Sequence, residues 1–285
     1  MTSYLAGLFS SIGIYLILGL SLNLALGFTG LLSLGHVAFF GIGAYTSALL
    51  ATQGIPFPIA FLSAGIVSGL AGGLLAFPIR KLRGDYLSLA TLAFHFVVFS
   101  LATNLEFLTR GPLGIAGISR PLGLGNDYAF LGFVWFCVVI VFLFLFRLTR
   151  SPFGRLLEGV RDDEALLRTL GKNTLQLKFS SLFISAFLTG IAGSLFSVYV
   201  GYINPGTFNL EEVILALTLV IVGGVASLPG TVIATVILMS LPEMLRFLPL
   251  SSEVLGPLRQ MLYAVILLAI LRFRPRGILG KIDLN

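Results

Sequence analysis

The chain carries no Lys or Arg before Arg80, so almost its whole first quarter is free to sit in hydrocarbon. In lipid, a segment must satisfy its own backbone amides and carbonyls, which leaves helices or closed barrels. About twenty apolar residues in a helix cross a bilayer core. Hydrophobic residues make up 57% of the 285 positions and charged residues 11%, against about 25% charged in a soluble domain. These features predict an all-α fold, a polytopic transmembrane helical bundle forming one integral membrane domain over residues 1–285. The N-terminus lacks the basic start of a cleaved signal, so residues 4–26 are expected as a retained span.

Further candidate spans are residues 31–51, 55–77, 86–105 and 128–146, then 179–200, 213–226, 231–247 and 258–271. Segment 213–226 is short. It is expected to be half of a broken or re-entrant pair with the next segment, joined through Ser227-Leu228-Pro229-Gly230, for a total of about eight to ten spans. Basic residues fall into three main groups: Arg80, Lys81 and Arg83; those between Arg147 and Lys178; and Arg272, Arg274, Arg276 and Lys281. Basic residues flank spans on the cytoplasmic side, and even numbers of spans separate these groups. The expectation is a multi-pass protein of a bacterial-type inner (plasma) membrane with a cytoplasmic C-terminus and an outside N-terminus. The net charge of +6 therefore marks membrane flanks. No basic stripe interleaved with aromatics points to nucleic acid.

The charged insert, residues 147–178, is the most structured departure from the apolar background. Ser151-Pro152 opens a helix, and residues 162–171 make a second, short, punctuated one. Asp162 is placed to cap the free amides, acids sit at the positive end of the dipole, Arg168 lies in the last turn and Gly171 can take the left-handed conformation that ends it. Leu166, Leu167 and Leu170 form an apolar edge. Such a helix between two spans offers itself to a soluble partner. The alternative is an amphipathic helix on the inner leaflet, against which Asp162, Asp163 and Glu164 weigh. The outside loop, residues 106–127, is stiffened by prolines and bent by glycines; docking of an external protein and a tight connector both remain open.

No Gly-x-x-x-x-Gly-Lys-Ser/Thr phosphate loop occurs, so this chain does not hold ATP in the usual way. Paired catalytic carboxylates, nucleophile elbows and metal spacing are missing too, which argues against an enzyme. Metal ligands are therefore expected to be none. Ion-driven carriers keep ionisable ligands deep in their spans, whereas the acids here lie in loops or near span ends, with Glu243 the deepest candidate. His36 and His95 are expected to bond between helices rather than relay protons. Cys137 lies in an apolar run and reads as packing.

Small and hydroxyl residues punctuate the spans in Gly27-Phe28-Thr29-Gly30, in Ser33-Leu34-Gly35-His36, in Gly41-Ile42-Gly43, and in Gly223-Gly224-Val225-Ala226-Ser227. Glycine lets helices approach closely or break so that end groups face a cavity. Asn23, Gly30, Ser33, Gly35, His36, Thr91, Gly223, Gly224 and Ser227 are the candidates for a route taken by a small zwitterion. Packing alone is the alternative.

Taken in order, several separated motifs carry a resemblance: residues 30–45, Leu82-Arg83-Gly84-Asp85-Tyr86-Leu87 with Thr91-Leu92, Gly111-Pro112, Ser151-Pro152-Phe153-Gly154-Arg155, Arg161-Asp162-Asp163-Glu164, Leu170-Gly171, Gly223-Gly224 to Pro229-Gly230, Leu241-Pro242-Glu243, and Arg274-Pro275-Arg276-Gly277. The chain resembles the permease subunits of branched-chain amino acid ABC importers, in particular the LivM-like partner of the pair. The resemblance implies a second, LivH-like permease, two cytoplasmic ATP-binding subunits and an extracytoplasmic substrate-binding protein. It places no cofactor in this chain, ATP and Mg belonging to the partner subunits. It gives Gly154, Arg155, Arg161, Asp162, Asp163, Glu164, Ala165, Leu166, Leu167 and Gly171 to a coupling element that docks on the ATPase. Leu31 stands where relatives commonly have Gln, and His95-Phe96 where they have Gly-Glu. Urea or a short amide is therefore an alternative substrate, and an ion-coupled carrier an alternative class.

Overall fold

A computed structural model describes residues 2–82, 84–118, 120, 121, 123–245, 252–274 and 276–280. Arg83, Ser119, Pro275, Lys281 and the end of the expected span 231–247 lie outside the described residues. The helices are α1 (Thr2–Asn23), α2 (His36–Thr52), α3 (Phe57–Ile79), α4 (Gly84–Asn104), the short α5 (Glu106–Thr109), α6 (Asp127–Arg150), α7 (Pro152–Thr169), α8 (Thr174–Val200), α9 (Leu210–Gly223), α10 (Leu228–Leu245) and α11 (Ser252–Phe273). Among the described residues, seven helical stretches are long and apolar enough to cross a membrane, and α2 and α10 are shorter apolar helices. Each matches one expected span. One correction concerns span 31–51: the chain leaves α1 through a π-helical turn, Leu24–Phe28, and becomes helical again only at His36. Gly35 caps that restart, and the stretch before it is held by α4 rather than by its own ladder.

The fold also contains two strands that the helical reading did not anticipate. β1 (Ile115–Ala116) and β2 (Tyr202–Ile203) pair antiparallel, with Ile115 opposite Ile203. This ladder ties loop 106–127 to the connection between α8 and α9, so the loop is anchored at its middle.

The core is built on α8, which packs most extensively against α3 and α2 and also against α1 and α7. Close approach is permitted by small residues: a Cβ on Gly43 would overlap the Gly190 backbone, and one on Gly72 would overlap Ala186. In lipid, apolar surface gains little by burial against a neighbour, so tight backbone contact and hydrogen bonds between helices supply the attraction. Accordingly α8 places Ser181 against Thr29 (2.6 Å), Thr189 against Ser21 (2.8 Å) and Ser194 against Ser47 (2.7 Å), all buried.

Contacts sort the connections into two ends. Residues 29–35, 80–82 and 84, α7, the turn 224–227 and residues 276–280 gather at one end, where Ile278 and Leu279 donate to the carbonyls of Val222 and Gly223. The described members of the three basic groups lie here. The start of α1, loop 106–127 and the end of α10 meet at the other end, where Tyr4 bonds Glu243 and Arg120 pairs with Asp127.

Candidate functional site

At the basic end, α7 begins as expected. Ser151 accepts from the Gly154 amide at 3.3 Å, Pro152 fills the first turn, and Gly154 is pressed against the carbonyl of Thr149. Halfway along, Asp163 adopts an extended conformation (φ −152, ψ 93) and α7 kinks. The second half runs to Gly171, whose φ of +75 ends it in the left-handed region. The expected cap needs correction: Asp163, not Asp162, accepts from the Leu166 amide at 3.0 Å. The reason is geometric, since the residue with non-helical backbone angles is the one whose side chain faces the free amides. Asp162 instead accepts from Arg161 Nε at 2.8 Å.

The apolar edge also divides. Leu166 and Leu170 are 56% and 64% exposed, whereas Leu167 is buried against Gly159. Ala165 and Arg155 are exposed as well. Glu164 does not face outward. It is buried, with Arg168 Nη2 at 2.7 Å and Lys178 Nζ of α8 at 3.0 Å. Burial pushes the Glu164 carboxyl up, but the hydrogen bond and charge of Lys178, joined by Thr174 and Arg168, hold it below the usual glutamate range. Lys178 is itself buried, so α7 and α8 share a desolvated ion pair that is costly to break.

Arg161 connects this assembly to the membrane helices. Its Nη1 donates to the carbonyl of Gly27 at 2.8 Å, and its aliphatic stem lies over Gly30, where a Cβ would come within 2.8 Å. Gly27 and Gly30 bracket the end of the π-helical turn, where the ordinary ladder is interrupted and a carbonyl is available.

The second interruption, Gly224–Ser227, lies directly against the first. Asn23 bridges them: Nδ2 donates to Thr231 Oγ1 at 2.6 Å and to the Ser227 carbonyl at 3.2 Å, while Oδ1 accepts from the Ala226 amide at 2.9 Å. Ala226 has φ +61, so its amide is presented to Asn23 rather than to a helical partner. Gly223 packs on Gly230, Gly224 on Gly280, and Ser227 caps α10 through the Gly230 amide. Of the nine route candidates, Asn23, Gly223, Gly224 and Ser227 are thus brought together and occupied in joining the two breaks. Gly30 alone is exposed, in a polar recess with Asp162, Asp163 and Lys178.

The remaining candidates form a second cluster. Thr91 of α4 accepts from the Leu34 amide at 3.0 Å, Gly35 abuts the Thr91 carbonyl, and His36 Nε2 meets Thr189 at 2.7 Å and Ser21 at 3.1 Å. His36 therefore bonds between helices as expected, and Ser33 Oγ is buried without a partner among the described residues. Reading the sequence missed Lys178 as the partner of Glu164, because nothing local links positions fourteen apart across a turn. Glu212 was missed too: it meets Tyr15 Oη at 3.0 Å, a deeper setting than that of Glu243. Leu31, one of the two departures, is buried beside the polar recess.

The family described as branched-chain amino acid transport system / permease component matches residues 4–271. The high-affinity branched-chain amino acid transport system permease protein LivM of Salmonella typhimurium is 37% identical, covering 93% of this chain and 68% of that protein. The probable branched-chain amino acid transport permease protein LivM of Methanocaldococcus jannaschii is 27% identical over 94% of this chain and 91% of its own. Among solved structures, PsaBC from Streptococcus pneumoniae in complex with Fab aligns with a TM-score of 0.54 at 16% identity, covering 97% of this chain and 93% of that one, a likeness of fold. A broken-helix membrane bundle matched over residues 4–271 is a multi-pass protein that belongs to the family of branched-chain amino acid transport system permease components.

Proposed function

We propose that the chain forms half of the transmembrane path of an ABC importer for branched-chain or other neutral amino acids, and that the second half of α7 is the element gripped by a cytoplasmic ATPase. The other half of the path is a LivH-like permease, and a binding protein delivers substrate to the end that carries loop 106–127. ATP and Mg act on the ATPase subunits, and this chain changes no bond of its own. The basic end is cytoplasmic, which puts the N-terminus outside and the C-terminus inside.

One observation carries the reading: a kinked, capped helix turns Leu166 and Leu170 outward while its inner face is tied to two separate parts of the bundle. Glu164–Lys178 ties it to α8, and Arg161–Gly27 ties it to the broken end of α1. A push on α7 is thereby delivered to the break that adjoins Gly224–Ser227. Charged ties desolvated at a helix joint transmit displacement because separating them is expensive.

The test is crosslinking in native membranes. With Cys137 replaced by Ala, a cysteine at Leu170 is expected to capture the ATPase subunit in a nucleotide-dependent way, and one at the buried Leu167 to capture none. Failure of Leu170→Cys to capture any nucleotide-hydrolysing subunit overturns the docking role. Arg161→Ala is expected to leave capture intact and to abolish uptake.

A further inference from the structure

At the basic end, a recess of about 250 Å³ opens between α7, the stretch that follows α1 and the start of α4. Its wall is more polar than apolar and displays both signs of charge, Arg161 and Lys178 against Asp162, Asp163 and Glu164. The Lys178 side chain is 4% exposed, and its ammonium carries three hydrogens while Glu164 is its one acceptor residue among those described. The Arg161 guanidinium donates through Nε and Nη1 and has further N–H groups in its fork. Asp162 and Asp163 each accept through Oδ1 alone, and the Asp162 side chain is 66% exposed. Leu31, Leu82, Leu87 and Val160 form the apolar remainder of the wall.

We infer that this recess binds a neutral amino acid from the cytosol and that the bound amino acid slows transport. The inference rests on the transport reading above and adds to it a site of product inhibition. The charge pattern selects the class of ligand. With Arg168, which bonds Glu164, the cations Arg161, Arg168 and Lys178 balance the acids Asp162, Asp163 and Glu164. A lone anion or a lone cation is repelled by half of such a cluster. A zwitterion suits both halves: its carboxylate accepts from Lys178 and Arg161, and its ammonium donates to the second carboxylate oxygens of Asp162 and Asp163. Among the described residues the three acids do not converge as metal ligands do. The volume lies at the small end of ligand pockets, which run from ~300 Å³ upward. That suits one amino acid, and the four apolar residues suit a branched side chain. An occupant here touches α7, the break at Gly30 and the start of α4 together. It thereby holds the joint through which a push on α7 reaches the bundle, and a ligand that favours one arrangement of a joint shifts the protein toward it.

The experiment uses the complete importer, with its ATPase and binding protein, in vesicles of phosphatidylcholine and phosphatidylglycerol. ATP and unlabelled leucine are enclosed, and labelled leucine is offered outside. Millimolar lumenal leucine is expected to lower the initial rate of uptake without raising the external KM. Lumenal leucinol, which lacks the carboxylate, and lumenal glycine, which lacks the apolar body, are each expected to need at least about tenfold more for the same effect. Leu82→Trp fills the recess and is expected to abolish the inhibition while leaving uptake into leucine-free vesicles unchanged. Leu82→Ala removes part of the apolar wall and is expected to raise the half-inhibiting leucine concentration about fivefold. That is less than the ~10-fold of an enclosed methylene, because Leu82 is only half-buried, and it decides the matter should Leu82→Trp fail to assemble. Uptake indifferent to lumenal leucine overturns the inference, as does inhibition equal in the parent and both variants, the result of leucine re-entering the transport path from inside. A rate that follows added phosphatidylethanolamine instead of lumenal leucine gives the recess to a lipid headgroup and overturns it too. Should the unaltered complex move no leucine into leucine-free vesicles, the transport reading itself falls, which is a different result from a lost inhibition.

Discussion

Helices α8 and α4 are both long enough to cross a membrane, yet 78% of the apolar window of α8 is buried and only 22% of that of α4. The buried one is the more polar in its contacts. Through Lys178, Ser181, Thr189 and Ser194, α8 bonds to α7, to the break after α1, and to α1 and α2. By contrast, α4 meets the bundle mainly at Thr91, and turns Tyr86, Leu89 and Val97 outward. The two helices are about equally apolar overall, so apolarity does not choose which is interior. In lipid, apolar faces are already at home, and polar or close-packing faces need a protein neighbour. The comparison separates a fixed mast from a loosely held wall.

Substitutions on the two helices are expected to rank accordingly. Gly190→Val drives a branched side chain into the Ala64 carbonyl and the Ser68 side chain and is expected to leave no folded protein, seen as loss of a monodisperse peak in detergent. Glu164→Gln strands the buried Lys178 ammonium and is expected to cost about 3 kcal/mol, read from thermal unfolding. Its sign with pH is fixed. Glu164 is held below the ordinary glutamate value, so its stabilisation is complete above about pH 4.3 and drains away as pH falls through the lowered value. Melting temperatures of parent and variant should converge on acidification. On α4, Thr91→Val leaves the Leu34 amide unpaired and is expected to cost about 1–2 kcal/mol. Val97→Ala, on the outward face, is expected to change stability by less than about 0.5 kcal/mol. A large loss at Val97 in the isolated chain would break the contrast between mast and wall.

Much of this was legible before any coordinates. The spans, the Ser151-Pro152 opening, the Gly171 stop and the break near Gly224–Ser227 all follow from neighbours in sequence: runs of apolar residues, caps and glycines act within a turn or two. The two-residue ladder of β1 and β2 was not legible, since its strands lie far apart and neither is long enough to leave a pattern. The choice of Asp163 over Asp162 as cap was also out of reach, because both have the right chemistry and only the kink selects between them. Leu167 turned inward while Leu166 and Leu170 stayed out for the same reason.

Among the route candidates, the sequence marked Asn23, Gly223, Gly224 and Ser227 as unusual without showing that they serve one another.

What the sequence determined by itself is the solvent this protein folds in and the location of its interruptions. Scarcity of charge and local backbone propensity act over a few residues and require no partner. What only the tertiary structure decided is which interruptions touch and which charges pair. Arg161 reaching Gly27, Lys178 reaching Glu164 and Asn23 spanning two broken helices each depend on helices crossing at a particular angle and depth. That geometry is set by the sum of many close contacts along α8 rather than by any stretch that can be read alone.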